Sequence, residues 1–267
     1  MSKLTLRRRP PFGPDEVKIH VVVPFYNCQQ YIGRCLRSLQ DQQHPCMSAV
    51  IIDDASDDGS SWLAEGIAKE LGWKYIGNET NDKCPKNLYV AINNLIDPNP
   101  RDVIYLLDGD DFLPHSRVLN RVAELFAEED TWMTYGQYMS SPPDAGCTPA
   151  IPLDSTVGRT EFRQKHGFFN HPIIFRKFLW DSIPYESLQD NDGEWFRAGY
   201  DRTIIYPLLE RATPEEGTPH WRFINEIMYV YNSENPCSDW RMNPEASTIV
   251  DQVYGRPPLE PLEVRYV

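Results

Sequence analysis

Five short apolar runs rich in β-branched or aromatic residues recur within the first 140 residues. Each of the first four is followed by a stretch with helical spacing. The runs are IHVVVPFY (19–26), AVIID (49–53), WKYIG (73–77), VIYLLDG (103–109) and WMTYGQY (132–138). After Asn27, which can cap a helix, Tyr31, Ile32, Cys35, Leu36 and Leu39 share one helical face. Segments 61–71, 86–96 and 115–128 repeat the pattern, and Asp-Pro-Asn-Pro (97–100) stops the second of them. A continuous apolar strand must be covered on both faces, and parallel neighbours need a crossover between them. The alternation therefore predicts an α/β domain, with one mostly parallel, Rossmann-like sheet flanked by helices.

The pattern changes after 138. Segment 140–149 reads as a loop, and 171–180 has no clear period. Residues 200–211 read as a helix and 223–231 as a strand, while 257–261 is Pro-rich and extended. The reading divides the chain into an arm (1–17), a first half (18–140), a second half of the same domain (141–240) and an extended tail (241–267).

The chain has 267 residues, 26 Lys and Arg against 39 Asp and Glu, and a net charge of −13. Such a surface repels phosphate backbones, so no nucleic-acid partner is expected. No apolar run reaches the roughly 20 residues of a membrane-spanning helix. The basic tip, Lys3 with Arg7–Arg9, lacks the apolar core of a signal peptide. The expectation is a cytoplasmic protein whose arm is solvated or touches a membrane surface. The six cysteines form no CxxC pair and read as reduced thiols.

Ligands of open α/β sheets sit outside the carboxyl ends of the strands. Here those ends carry Asn27, Asp53–Asp54 and Asp108-Gly109-Asp110-Asp111. Three carboxylates within four positions repel one another unless a cation neutralises them. A hard ion such as Mg²⁺ or Mn²⁺, with oxygen ligands and a diphosphate, meets that need. A surface Asp-Gly turn is the competing reading. GxGxxG, GxxxxGK[ST], GxSxG and HExxH are all absent, so dinucleotide, P-loop, serine-hydrolase and zinc-protease sites have no anchor.

VVVPFYN (21–27), VIIDDASDDGS (50–60) and LLDGDDF (106–112), in this order and strand context, resemble the motifs of the family 2 glycosyltransferases. The resemblance covers about residues 18 to 140 and implies a GT-A fold binding a nucleotide-diphosphate sugar, UDP-sugar favoured. It implies that Pro24, Phe25, Tyr26 and Asn27 line the base and ribose, and that Asp54 hydrogen-bonds the base. Asp108 and Asp110 would hold Mn²⁺ or Mg²⁺, and Asp111 would contact the donor sugar, brace its loop or cap a helix. Lys86, beside Asn87, would offset diphosphate charge or stand as an exposed helix lysine. Asp201, in GYDRTIIY, is implied as the base that deprotonates an acceptor hydroxyl in an inverting transfer, with a helix first-turn acid as its alternative. His171 would belong to the acceptor wall or be structural. Relatives often add a metal-binding histidine near the C-terminus. Here YVYNSENPCSDWR offers Asp239 instead, with Trp240 as a sugar-stacking or core ring. The implied acceptor is a glycan, glycolipid or glycoprotein. The alternatives are a non-catalytic binding module of the same fold and, further behind, a nucleotidyltransferase lacking its glycine-rich basic loop.

Overall fold

The computed structural model describes residues 2–7, 12–95, 98–143, 157–165, 169, 171–243 and 245–266. The strands are β1 (Ser2–Leu6), β2 (Ile19–Phe25), β3 (Met47–Asp53), β4 (Lys74–Gly77), β5 (Val103–Leu106), β6 (Met133–Ser141), β7 (Ile174–Arg176), β8 (Trp221–Asn232) and β9 (Leu262–Tyr266). The helices are α1 (Gln29–Gln40), α2 (Ser60–Leu71), α3 (Cys84–Asn93), α4 (Val118–Phe126), α5 (Lys177–Asp181), α6 (Tyr200–Arg211), α7 (Asp239–Met242) and α8 (Ala246–Tyr254).

Seven strands form one sheet in the order β4-β3-β2-β5-β7-β6-β8. Only β7 runs against its neighbours β5 and β6; the other pairings are parallel. Successive strand residues enter opposite cores. Val22, Val50, Ile52, Ile104 and Leu106 face α3 and α6, while Val21, Val23, Ile51 and Tyr105 face α1, α2 and α4. Every residue of β2 is buried, which explains why its sequence is a continuous apolar run rather than an alternating one. The expected α/β architecture is the one observed.

Segment 171–180 lacked a period because it is two elements. Strand β7 gives way to α5 without a loop, so a period of 2 switches to one of 3.6 inside ten residues.

The ends of the chain depart from the expectation of a solvated arm and an extended tail. Strand β1 pairs in parallel with β9, from Ser2 with Leu262 to Leu6 with Tyr266. The tail also contains α8, whose Ala246, Val250 and Val253 are buried. Polar anchors hold it. Arg163 donates to both Glu210 carboxylate oxygens at 2.6 and 2.8 Å and to the Val253 carbonyl at 2.7 Å. Glu210 also accepts the Leu259 N–H at 2.8 Å, and Arg211 donates to the Glu260 carbonyl at 2.9 Å. Helix α6 is buried continuously from Thr203 to Arg211, so the tail is packed onto it as part of the core. Arg8 and Arg9 of the basic tip, and residues 144–149 of the expected loop, lie outside the described residues.

Candidate functional site

The carboxyl ends of β2, β3 and β5 open into a cleft of about 710 Å³, bounded on the other side by the start of α6 and the segment after β8. Pro24, Phe25, Tyr26, Asp54, Asp108 and Asp110 line it from the strand ends, with His171 and Asp201 facing them. Eight of the residues expected from the sequence therefore meet in one place.

The acidic loop after β5 is held from two sides. The Gly109 N–H donates to the Pro24 carbonyl at 3.0 Å. A Cβ at Gly109 would lie 2.4 Å from Phe25 Cβ, so close approach of two strand exits is what requires glycine here. On the other side, Phe112 exchanges backbone hydrogen bonds of 3.2 and 2.9 Å with Val230 of β8. That contact brings Tyr229 and Asn232 to the loop. Asp111 is 1% exposed and accepts the Tyr229 hydroxyl and the Asn232 N–H, both at 2.6 Å. Of its three expected roles it takes the loop brace: it neither lines the cleft nor caps a helix.

Asp108 and Asp110 remain directed to the cleft. Asp108 accepts the Tyr200 hydroxyl, and its N–H donates to the Tyr229 hydroxyl oxygen at 3.2 Å; Asp110 accepts the Asn235 side-chain amide at 2.8 Å. Burial pushes the Asp108 carboxyl up to about 6, the Asp201 charge adding to it and the Tyr200 hydrogen bond opposing it. Burial, then the charge of Asp108, likewise raises Asp110 to about 6. Asp111 is pushed up by burial and by both neighbours. Two hard oxygen donors that burial holds toward their protonated forms have the chemistry a divalent cation takes. Among the described residues, no three His, Cys, Asp or Glu side chains form a ligand cluster.

The second-strand acids are used differently. Asp53 accepts bonds from Ser56, Ser61 and Tyr75 and shapes the loop after β3. Asp54 accepts the N–H groups of Asp82 and Lys83, at 2.6 and 3.1 Å, while its own N–H donates to Phe25. Asn27 does not cap α1. Its backbone is left-handed, with φ of 45°, and its side chain exchanges two hydrogen bonds with Asp57, at 2.8 and 2.9 Å. It ties the loops after β2 and β3 together and does not line the cleft.

Asp201 occupies the first turn of α6, where the helix dipole favours a carboxylate, and lies 3.4 Å from the Arg202 Nε. Gly199 precedes the helix with φ of +65°, and a Cβ there would lie 2.3 Å from Val250 Cγ2. The α8 tail thus presses directly on the turn that aims Asp201. His171 stacks on Tyr229 at 4.6 Å between centroids, its Nε2 4.0 Å from Asp108; burial lowers its pKa against the pull of Asp201.

Lys86 does not face the cleft; it pairs with Asp82 at 2.7 Å on α3, and Lys83 is the lysine on the cleft wall. The side chains of Asp239 and Trp240, in α7, lie outside the described residues. Sequence reading missed Lys83, Tyr200, Tyr229 and Asn235. Tyr200 stood beside Asp201 in the quoted segment, and Tyr229 and Asn235 lie in the stretch searched for a histidine, so position was the available signal. No motif marks them.

The description Glycosyl transferase family 2 matches residues 20–183. EpsE of Bacillus subtilis is 30% identical over 110 residues, which is 40% of this chain and 38% of that protein. TarS of Staphylococcus aureus, a poly(ribitol-phosphate) beta-N-acetylglucosaminyltransferase, is 31% identical over 100 residues, 36% of this chain and 17% of TarS. The chain thus spans less than half the length of either relative. A crystal structure of TarS 1–349 in complex with UDP-GlcNAc shares the fold with a TM-score of 0.66 at 17% identity, over 91% of this chain and 68% of that one. The mannosyltransferase PcManGT from Pyrobaculum calidifontis, in complex with GDP-Man and Mn²⁺, gives 0.60 at 15% identity, over 92% and 67%. These likenesses establish the GT-A fold. Because the family match spans well over half of the chain and runs through every strand end that builds the first wall of the cleft, this chain belongs to glycosyl transferase family 2.

Proposed function

We propose that the chain transfers a sugar from a nucleotide-diphosphate sugar, a UDP-sugar in first place, to an acceptor hydroxyl with inversion at the anomeric carbon. The observation that carries this reading is the convergence of Asp108, Asp110 and Asp201 on one cleft. Family membership and the fold shared with TarS bound to UDP-GlcNAc support it.

In this reading residues 18–140 hold the donor and 141–240 the acceptor. Pro24, Phe25 and Tyr26 flank the base and ribose, and Asp54 accepts the imide N–H of the base. Asp108 and Asp110 would hold Mn²⁺ or Mg²⁺, which would supply positive charge against the diphosphate leaving group. Lys83, on the same wall, adds a positive charge there. Asp201 takes the proton of the acceptor hydroxyl as it attacks from the opposite side. The Tyr200 hydroxyl holds Asp108 while its backbone begins α6, so one residue spans the metal carboxylate and the base helix. Among the described residues no helix is long and apolar enough to cross a membrane.

A thermal-shift panel of UDP, GDP and CMP with and without Mn²⁺ tests the donor assignment. Ligand at 100 times its Kd stabilises by about 2.7 kcal/mol, a shift of several degrees. Stabilisation by UDP that needs Mn²⁺ and disappears in Asp110→Ala is expected. No response to any nucleotide would remove the support for a donor site.

A further inference from the structure

A second concavity of about 170 Å³ lies outside the cleft, between α3, the end of α5 and the 3₁₀ turn Tyr185–Leu188. Tyr89, Tyr185 and the buried Trp180 line it, and Trp195, outside the lining, packs against the two tyrosines. Tyr89 and Tyr185 meet edge to face at 5.3 Å between centroids, Tyr185 and Trp195 at 5.0 Å, and Tyr89 and Trp195 at 5.8 Å. Two of these rings stay open to solvent, Tyr89 at 36% and Tyr185 at 40% exposure. The notch also holds Asn93 and Asp181. Asn93 donates its amide N–H to the Tyr89 carbonyl, which leaves its side-chain carbonyl as an acceptor; Asp181 is neutralised by Lys177.

This combination points to one ligand chemistry. Aromatic faces and edges left exposed favour a rigid ring with apolar C–H faces. Amide and carboxylate oxygens at the rim favour hydroxyl donors. The one carboxylate is already paired with a lysine, so the notch offers no unbalanced charge to an anion or a cation. A neutral pyranose meets each requirement, whereas a phosphate or a peptide terminus does not.

Position links the notch to the cleft. Helix α3 presents Asn87 to the cleft and Tyr89 with Asn93, four residues apart on another face, to the notch. Trp195, which packs against Tyr89 and Tyr185, precedes Arg197 of the cleft wall by two residues. The two sites are therefore separated by about the width of one helix, about 10 Å. We propose that the notch lined by Tyr89 and Tyr185 is a saccharide subsite that holds a non-reacting pyranose of a neutral glycan acceptor. This inference rests on the transferase reading, and it names the acceptor as an oligosaccharide rather than a single sugar or a protein side chain.

Ligand-observed NMR titration of the full chain, without nucleotide or metal, tests it with cellohexaose, maltohexaose and chitohexaose as probes. The expected result is binding of at least one hexasaccharide, weakened fivefold or more by Tyr185→Leu and by Tyr89→Leu. Leucine keeps apolar bulk and removes the ring, and Tyr89→Leu carries the test alone should Tyr185→Leu not fold. No binding of any probe, or binding unchanged in the folded Leu variants, overturns the subsite. The UDP and Mn²⁺ thermal shift of the same variants separates the two ideas. A retained nucleotide response with lost glycan binding supports the subsite. Glycan binding that fades in the Leu variants of a protein indifferent to every nucleotide supports the notch as a saccharide site and overturns its role in transfer.

Discussion

The two walls of the cleft are built on different principles. The first wall stands on the ends of parallel strands, whose pairing brings Asp54, Asp108 and Asp110 to one edge of the sheet, and loop backbone 28 and 29 residues on, at Asp82 and Lys83, holds Asp54. The second wall stands on α6, and its acid, Asp201, is aimed by elements far along the chain, Val250 against Gly199 and Glu210 against Arg163. The exits of a strand-end wall are thus placed by the sheet itself, although its acids also take hydrogen bonds from Tyr200, Tyr229, Asn232 and Asn235. A helix-borne wall depends on the tail that packs against it.

The comparison breaks most sharply at Asp201. Asp201→Asn keeps the shape and removes the proposed base, so under the proposed function transfer should fall by about 100- to 10,000-fold while UDP binding with Mn²⁺ stays within twofold. Steady-state kinetics beside a binding titration reads both; equal loss of both would tie Asp201 to the donor instead.

A change in the tail anchor comes next. Glu210→Gln leaves Arg163, only 7% exposed, without its charge partner, and breaking a buried pair costs about 3 to 5 kcal/mol. Calorimetry should show that loss, and the folded fraction should lose turnover more than donor affinity. If donor affinity falls first, the walls are not independent.

The acidic pair gives a smaller effect whose sign can be worked out. Folded-state values near 6 exceed the ordinary carboxylate value of about 3.9, so the fold favours the protonated forms. Below about pH 4 the pair costs nothing; the destabilisation grows as pH rises and is complete above about 6. Without metal, Asp110→Asn should therefore raise the melting temperature by about 2 to 4 °C at pH 7.5 and by nothing measurable near pH 4. An equal gain at both pH values would remove charge repulsion as its cause.

Lys86→Ala should do least. Its pair with Asp82 is a half-exposed i,i+4 contact worth about 0.3 to 0.5 kcal/mol, and UDP affinity should not change, whereas Lys83→Ala should weaken it. Titrations of the two variants side by side would expose an error in which lysine faces the nucleotide.

The same contrast decides how much was legible in the sequence. Strand-end residues follow directly from periodicity: once β2, β3 and β5 are recognised, Phe25, Asp54, Asp108 and Asp110 must emerge on one edge of the sheet. Asn27 was misread as a cap, and the two readings of Lys86 stayed open, because their partners, Asp57 and Asp82, sit in loops whose course the pattern does not fix. Asp111 shows the limit within a motif, since only the pairing of Phe112 with Val230 reveals that it turns inward to Tyr229. The paired termini were illegible for a similar reason. Strands β1 and β9 lie about a chain length apart, and neither five-residue run signals the other.

The most direct test of the two-wall account is a calorimetric titration of UDP into the wild-type chain, Asp110→Asn and Asp201→Asn, each with and without Mn²⁺. The account expects Mn²⁺-dependent binding in the wild type, the same in Asp201→Asn, and loss of the metal dependence in Asp110→Asn. UDP binding that ignores Mn²⁺ in all three proteins, or that vanishes with Asp201 rather than Asp110, would contradict it.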